Sequence, residues 1–391
     1  MNVLLFDGPE RIHLLPFTYI RPVAHIRIGI DRLQDKWEAA LATPCSLYTQ
    51  DYLQKKYPPL LQETNLYVNP AFVPNAALID AIDSLALGHV LVKGNEIIAG
   101  KTSEQSPPND INAYTAVEFE DELIHLKAVT DLFINNATVL AQDFDRITKN
   151  RKSAPISASN QVISPENIFI EPGAVVECSI LNARSGPIYI GKNAEVMEGS
   201  MLRGGIALCE NSVIKMGAKI YSGTTIGPYC KAGGELNNVL MLGYSNKGHD
   251  GFLGNAVIGE WCNIGAATDA SNLKNNYGKL KLWNYEEERF SKTDLQFCGL
   301  IMGDYSRCSI HTTFNTATLV GICTNLFGTG FPRTFLPSFS FGGAQGLNTY
   351  TFEKAFEANK EMMKRRGIEL SQHDREILEY VFKQSAQWRR D

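Results

Sequence analysis

Aliphatic residues fall at a fixed interval through the middle of the chain. In PIYIGKNAEVMEGSMLRGGIALCENSVIKMGAKIYSGTTIGPYC, Ile190, Val196, Leu202, Leu208, Ile214, Ile220 and Ile226 each follow the last by six positions. A sandwich of alternating strands would show period two within strands and irregularly spaced turns. A six-residue step is instead that of a parallel β-helix, in which each unit is one short strand and one turn and three units close a triangular coil. Gly191-Lys192-Asn193 and Gly227-Pro228 occupy the turns, where tight backbone angles are needed. One coil cannot bury its own aliphatic ladder, but stacked coils bury it for each other. The pattern resumes at Phe252, Ile258, Ile264 and Ala270, and again at Met302, Cys308, Phe314, Val320 and Leu326. Two stretches break the frame. It slips within GGELNNVLMLGYSNKGHDG, and NLKNNYGKLKLWNYEEERFSKTDLQFCG inserts about thirty residues between Ala270 and Met302. A solenoid tolerates such loops on one face, and they commonly form its binding face.

Before the solenoid, NVLLF reads as a strand and HIRIGIDRLQDKWEAAL as a helix. CSLYTQDYLQKKY reads as a second strand and helix start, and NLYVNPAFVPNAALIDAIDSL as strand, loop and helix. Alternation of this kind predicts an α/β domain over residues 1–150. The polar stretch TKNRKSAPISASNQ is the expected linker, followed by a left-handed β-helix over residues 151–345 and a C-terminal helical segment over 346–391. In that last segment Ser371 is placed to cap a helix whose Ile377, Leu378, Val381 and Phe382 recur at helical spacing.

Composition narrows the partners. A net charge of -5, with no block of Lys or Arg, argues against nucleic acid or an anionic membrane surface and favours small molecules. MNVLLFDGPE lacks the basic start of a signal peptide, and no apolar run approaches the length of a membrane span. The eight cysteines are scattered without a C-x-x-C pair, and Cys308 falls on an inward repeat position. Packed thiols of this kind fit a reducing compartment, so a cytoplasmic location is expected.

Chemistry concentrates where the repeat stops being regular. His249 stands between Gly248 and Asp250, and histidine is the side chain suited to take a proton near neutral pH. Asparagines alone say little, because in a β-helix they commonly occupy turns. A catalytic zinc takes about three protein ligands. The coil region offers only His249 and His311, with Cys308 better explained as packing, so no metal site is expected there.

The stretch SNKGHDGFLGNAVIGEWCNIGAATDASNLKNNYG resembles the bifunctional bacterial enzymes that acetylate glucosamine 1-phosphate and then uridylylate N-acetylglucosamine 1-phosphate. Their β-helical acetyltransferase carries K-x-G-H-x-x-Y-x-G-D-A-x-I-G-x-x-x-N-I-G-A-G-T and then a C-N-Y-D-G-like loop. Here the corresponding residues are Lys247-Gly248-His249, Phe252, Gly254-Asn255-Ala256, Ile258-Gly259 and Asn263-Ile264-Gly265-Ala266-Ala267-Thr268, then SNLKNNYG. GLIMGDYSRCSIHTTFN is similar to archaeal relatives of the same enzymes, and the likeness covers about a hundred residues. It implies an acetyl-CoA-dependent acetyltransferase for glucosamine 1-phosphate, with His249 as general base and Glu235 on the sugar. It places Asn263 and Asn272 at the sugar and acetyl-donor site, and Arg203 of SMLRGG on the phosphate. A donor cleft between subunits, and hence a homotrimer, is implied as well. Phe252 stands where the family has tyrosine, and Asn237 where it has a sugar-site lysine.

The opening LLFDGPERIHLLPFTYIRPVAHIRIGI resembles the nucleotidyltransferase signature G-x-G-x-R-x-x-P-L-T-x-x-R-P-K, with Gly8, Arg11, Pro16, Thr18, Arg21 and Pro22 on matching positions. The likeness implies that Gly8, Arg11 and Arg21 bind a nucleotide, UTP with Mg2+ for an active domain, with Lys93 a further candidate. Val23 replaces the signature lysine, and Asn69 in LYVNPAFVP replaces the metal-binding aspartate. An amide is a poor ligand for a hard dication. The expectation is a domain that binds a uridine nucleotide or nucleotide sugar and forms it slowly. The alternatives are an acetyltransferase for another amino sugar or nucleotide-linked amino sugar, and a non-catalytic trimeric scaffold that senses a nucleotide sugar.

Overall fold

The computed structural model describes residues 2–389, which form two compact units: the first comprises residues up to Ile26, Asp31–Asp131 and Gln372–Ile377, and the second the remainder. In the first unit, β1 (Asn2–Phe6), α1 (Leu33–Leu41), β2 (Cys45–Tyr48), α2 (Asp51–Gln54), β3 (Asn65–Val68), α3 (Ala76–Asp83), β4 (His89–Lys93), β5 (Glu96–Thr102) and β6 (Thr115–Glu118) follow in chain order. The sheet runs β2-β1-β3-β5-β4-β6. β1 pairs parallel with β2 and β3, while β5 lies antiparallel between β3 and β4. Val3, Leu5, Leu66, Val68 and Leu91 pack against Trp37, Leu78 and Ile82, and the Trp37 indole N–H donates to the Phe72 carbonyl at 3.1 Å.

This is the expected α/β domain, with one difference. The helix read from His25 begins only at Leu33. Gly29 has φ +67°, outside the helical region, and Arg27–Ile30 belong to the second unit. There the Gly29 and Ile30 N–H groups donate to Asn136 Oδ1 (2.7 Å) and Asp143 Oδ2 (2.8 Å), both on α4 (Asp131–Thr148). The helical periodicity before Leu33 falls on a buried bend that is not helical.

The second unit is a left-handed parallel β-helix followed by helices. The first face stacks Gln161–Ile163, Ile180–Asn182, Met201–Arg203 and Lys219–Ile220, then the starts of the long strands Glu235–Gly243 and Phe252–Glu260. The second face runs from Ile168–Ile170 to Phe335–Leu336, and the third from Val175–Val176 to Ser340–Gly343. The hexad residues from Ile190 to Ile226 all point inward, none more than 1% exposed. Burying each contributes roughly 1.5–3 kcal/mol, repeated coil after coil. The insertion leaves after Ala270, forms an antiparallel hairpin (Lys281–Asn284 with Arg289–Lys292) and returns at Leu300. The ladder closes over it, Val257 pairing directly with Ile301.

Both ends of the solenoid are covered on the face where the chain enters or leaves. Ser153 and Ala154 bond to the backbone of Ile170, and Ser340–Gly343 pairs antiparallel with Gly346–Thr349. α5 (Phe352–Lys364) then lies against the coils, Arg307 donating to Asn359 and Asn359 to the Cys323 sulfur. α6 (Gln372–Gln384) starts directly after Ser371. Among the described residues no helix is long and apolar enough to cross a membrane.

Frame slippage has a definite origin. Between the third and first faces, coils turn through four residues, as at Lys215–Ala218 and Gly265–Thr268, but one turns through Gly233-Gly234 alone. Two residues are therefore missing from that corner. Separately, the steps from Leu236 to Met241 and from Leu253 to Ile258 are five residues rather than six, so Leu253, fully buried, takes the inward position expected for Phe252, which is partly exposed on the outer surface.

Candidate functional site

His249 lies on the corner that follows the shortened one. Strand Asn246–Lys247 on the third face leads into Gly248–Gly251, and the first face resumes at Phe252. This corner sits directly on the glycine pair. A Cβ on Gly234, which has φ +75°, would lie 2.6 Å from the Gly251 carbonyl oxygen, and one on Gly233 would lie 2.8 Å from that of Gly248. Any larger residue at either position would push the corner away. The corner is stitched on both sides, Glu235 N–H donating to Gly251 O (3.1 Å) and Ala267 N–H to Asp250 O (3.0 Å). The imidazole of His249 is exposed and has no side-chain partner among the described residues.

Two other predicted residues flank it. Glu235, on the first face one coil earlier, pairs in register with Phe252 and is partly exposed. Asn263, on the third face one coil later, pairs with Asn246 and is exposed. Glu235, His249 and Asn263 thus occupy three successive coils around one edge of the prism. Asn272 lies at the opposite edge of the first face, beside Gly254, and donates to Asn255 Oδ1 at 2.8 Å. Arg203 is exposed two coils before Glu235, roughly 10 Å along the axis at about 4.8 Å per coil. Cys308 is 5% exposed in the inward column, near Thr268, and His311 lies on the corner two coils beyond His249.

A residue named in the motif but given no role by the sequence lies beneath His249. Lys247 occupies the inward column of the third face, between Ala232 and Ile264, and is 1% exposed. Its Nζ donates to the carbonyls of Gly233 (3.2 Å) and His249 (2.6 Å). Burial pushes the ammonium down to about 8, against the opposing pull of Asp269 and Asp250. The available signal was the interval: position 247 is six after Met241 and six before Leu253.

In the first unit the nucleotide-binding candidates are engaged within the protein. Arg11 donates to the Thr18 carbonyl (2.9 Å) and the Tyr52 hydroxyl (2.6 Å), and its Nε lies 3.6 Å from Asp7. Arg21 is 4% exposed and donates to Phe17 O. Lys93 bonds the carbonyl of Asp121 at 2.8 Å. Asp7 accepts from Thr49 and from the Val23 N–H, and burial pushes its carboxyl above the usual range. A Cβ on Gly8 would meet the Glu10 carboxylate and Asn69 Nδ2, the latter at 2.6 Å, so the loop is filled by its own side chains. Glu10 accepts from both Asn69 (3.1 Å) and His125 (2.5 Å), and His125 Nδ1 faces Glu96 at 3.0 Å. Burial raises Glu10, but the bonds from His125 and Asn69 outweigh it and leave the carboxyl below its ordinary value. Glu10 and His125 were not legible from the motif, since their pairing spans 115 positions. Asp7 and Glu10 already accept hydrogen bonds from the chain, which leaves each fewer free acceptor sites for a cation.

Residues 3–152 match the family model described as sugar nucleotidyl transferase. No curated protein matches the chain. Among solved structures it is similar to the polySia-specific acetyltransferase NeuO, at 11% identity and TM-score 0.26, over 54% of this chain and 100% of that one. It is also similar to LpxA, a UDP-N-acetylglucosamine acyltransferase from Bacteroides fragilis 9343, at 17% identity and TM-score 0.26, over 60% and 84%. A third is the N-acyltransferase AntD from Bacillus cereus, in complex with dTDP and 3-hydroxybutyryl-CoA, at 13% identity and TM-score 0.23, over 54% and 92%.

Proposed function

We propose that the protein is an acetyl-CoA-dependent N-acetyltransferase acting on glucosamine 1-phosphate, with His249 as general base. The observation that supports this reading most is the exposed imidazole without a chain partner, carried on a corner fixed between Glu235 and Asn263. In the proposed reaction the amino nitrogen attacks the thioester carbonyl while His249 takes the nitrogen's proton. The oxyanion so formed accepts a hydrogen bond from the Asn263 amide or a neighbouring backbone N–H. Collapse expels the coenzyme A thiolate, which recovers the proton from His249. Glu235 holds sugar hydroxyls, Asn272 lies on the acetyl-donor side and Arg203 attracts the phosphate. A homotrimer with the donor between subunits completes the proposal.

The test is thiol release from acetyl-CoA. It should require glucosamine 1-phosphate, and a rate indifferent to the sugar would sink the claim. A preference for another amino sugar or a nucleotide-linked one would move the substrate but keep the chemistry. An unaltered rate in His249→Ala would favour a scaffold that senses a nucleotide sugar.

For the first unit we propose nucleotide or nucleotide-sugar binding, with uridylyl transfer slow or absent. The match of residues 3–152 to a sugar nucleotidyl transferase model supports the binding, and the engagement of Arg11, Arg21, Asp7 and Glu10 with the chain supports the slow transfer. Fast pyrophosphate release from UTP and N-acetylglucosamine 1-phosphate with Mg2+, abolished by Arg21→Ala, would overturn it.

A further inference from the structure

A solenoid core does not need a lysine. On the third face the inward column reads Val176, Val196, Ile214, Ala232, Lys247, Ile264, Cys308 and Leu326, so one ammonium stands in a ladder otherwise without charge. Burying an ammonium costs several kcal/mol unless its donors are satisfied. A methionine would fill the same volume without that cost, so packing does not account for the residue. Its bonds do offer an account. The two carbonyls it holds belong to successive corners, Gly233 on the shortened one and His249 on the one above. Small Ala232 leaves room for the side chain, and the two missing residues bring the Gly233 carbonyl within reach.

We propose that Lys247 is a positioning residue for acetyl transfer: its ammonium fastens the carbonyl of His249 to the coil beneath and so fixes the corner that presents the imidazole. Such a tie has work to do, because Gly248 and Gly251 flank the corner and Gly251 has φ +122°. Glycines on both sides give that backbone more freedom than its neighbours have. Lys247 does not itself meet substrate. The groups facing its ammonium are the carboxylates of Asp250 and Asp269 and the thiol of Cys308.

The kinetic half of the inference rests on the acetyl-transfer reading, whereas the anchoring half does not. In Lys247→Met the melting temperature should hold or rise and KM for both substrates stay within about twofold, while kcat falls roughly 10- to 100-fold, the scale of loss when a catalytic group is held about 1 Å out of place. Lys247→Gln keeps an N–H donor and should recover part of that loss. Hydrogen exchange supplies the independent readout. The amides of Glu235 and Ala267 donate to the corner's own carbonyls, so both should exchange about tenfold faster in Lys247→Met. Unchanged exchange at both amides overturns the anchoring. Faster exchange with full kcat overturns the positioning role. A kcat loss matched by lower melting temperature in both variants also overturns it, since that is general destabilisation. If His249→Ala retains the wild-type rate, the acetyl-transfer reading has failed, and exchange alone still decides whether Lys247 anchors the corner.

Discussion

The two candidate sites treat their charged side chains in opposite ways. In the first unit Arg11, Arg21, Asp7, Glu10 and His125 are all bonded within the protein, and the glycine loop is occupied by Glu10 and Asn69. On the β-helix, His249, Glu235, Asn263 and Arg203 have no side-chain partner among the described residues. A polar group already satisfied by the chain must break bonds before it can meet a ligand, whereas an unsatisfied exposed one need only lose water. The first arrangement ties its charges into the fold, and the second leaves side chains free to meet a ligand, as the proposed acetyl transfer requires.

The comparison breaks most sharply at His249. His249→Ala should lower kcat for acetyl transfer by about 10²- to 10⁴-fold without changing the melting temperature, because a general base contributes on that scale. A large melting shift would mean that the imidazole, too, is committed to structure. The mirror experiment is Glu10→Ala, which leaves His125 and Asn69 without their acceptor in a buried setting. It should cost about 3–5 kcal/mol in the first urea transition and leave acetyl transfer unaltered. An unshifted midpoint would show that the cluster is available to a ligand after all.

Lys247 sharpens the contrast within the solenoid, being a committed charge beneath the uncommitted ones. Its folded value of about 8 lies below the unfolded 10.5. Between those values the unfolded chain holds more protons, so stability rises with pH through that window. Below it, the buried ammonium costs roughly 3 kcal/mol, taken at about 1.4 kcal/mol per unit. The stability advantage of Lys247→Met at pH 7 should therefore shrink as pH is raised toward 10, as followed by urea midpoints of the two proteins. A gap independent of pH would show that the ammonium is not penalised. The smallest effect is expected at Arg203, two coils from Glu235. Arg203→Ala should raise KM for the sugar phosphate less than about tenfold, as befits an exposed charge screened by solvent, and leave kcat alone.

Much of the fold was legible because the solenoid repeats one physical demand, an aliphatic residue every sixth position. Reading failed where corners changed length. The corner at Gly233-Gly234 is two residues short and the step from Leu253 to Ile258 is one short, so the inward position falls at Leu253 rather than Phe252, and the lysine in the ladder was passed over because lysine is not expected in a core. The place of His249 on a corner of the solenoid, where the repeat breaks, was legible, and the separation of Arg203 from Glu235 follows from counting coils. The internal bonding of Arg11 and Glu10 was not legible, since Tyr52 and His125 reach them only through the folded sheet. Arg27–Ile30 misled for the same reason: a bent, non-helical segment tied to Asn136 and Asp143 carries the apolar spacing of a helix.

The closed ends of the β-helix bear on how copies of the chain can associate. An in-register parallel ladder is a template for its own extension, and a bare terminal coil would accept a coil of a second molecule. Here the Ser153–Ala154 segment covers the second face at one end, and the Gly346–Thr349 strand, its Tyr350 against Phe341, covers the third at the other. Each segment takes up the open ladder edge of its own face, which disfavours axial addition of a second copy there. Removing the residues after Gly343 would expose the edge of Ser340–Gly343, and light scattering should then show self-association that the full chain lacks.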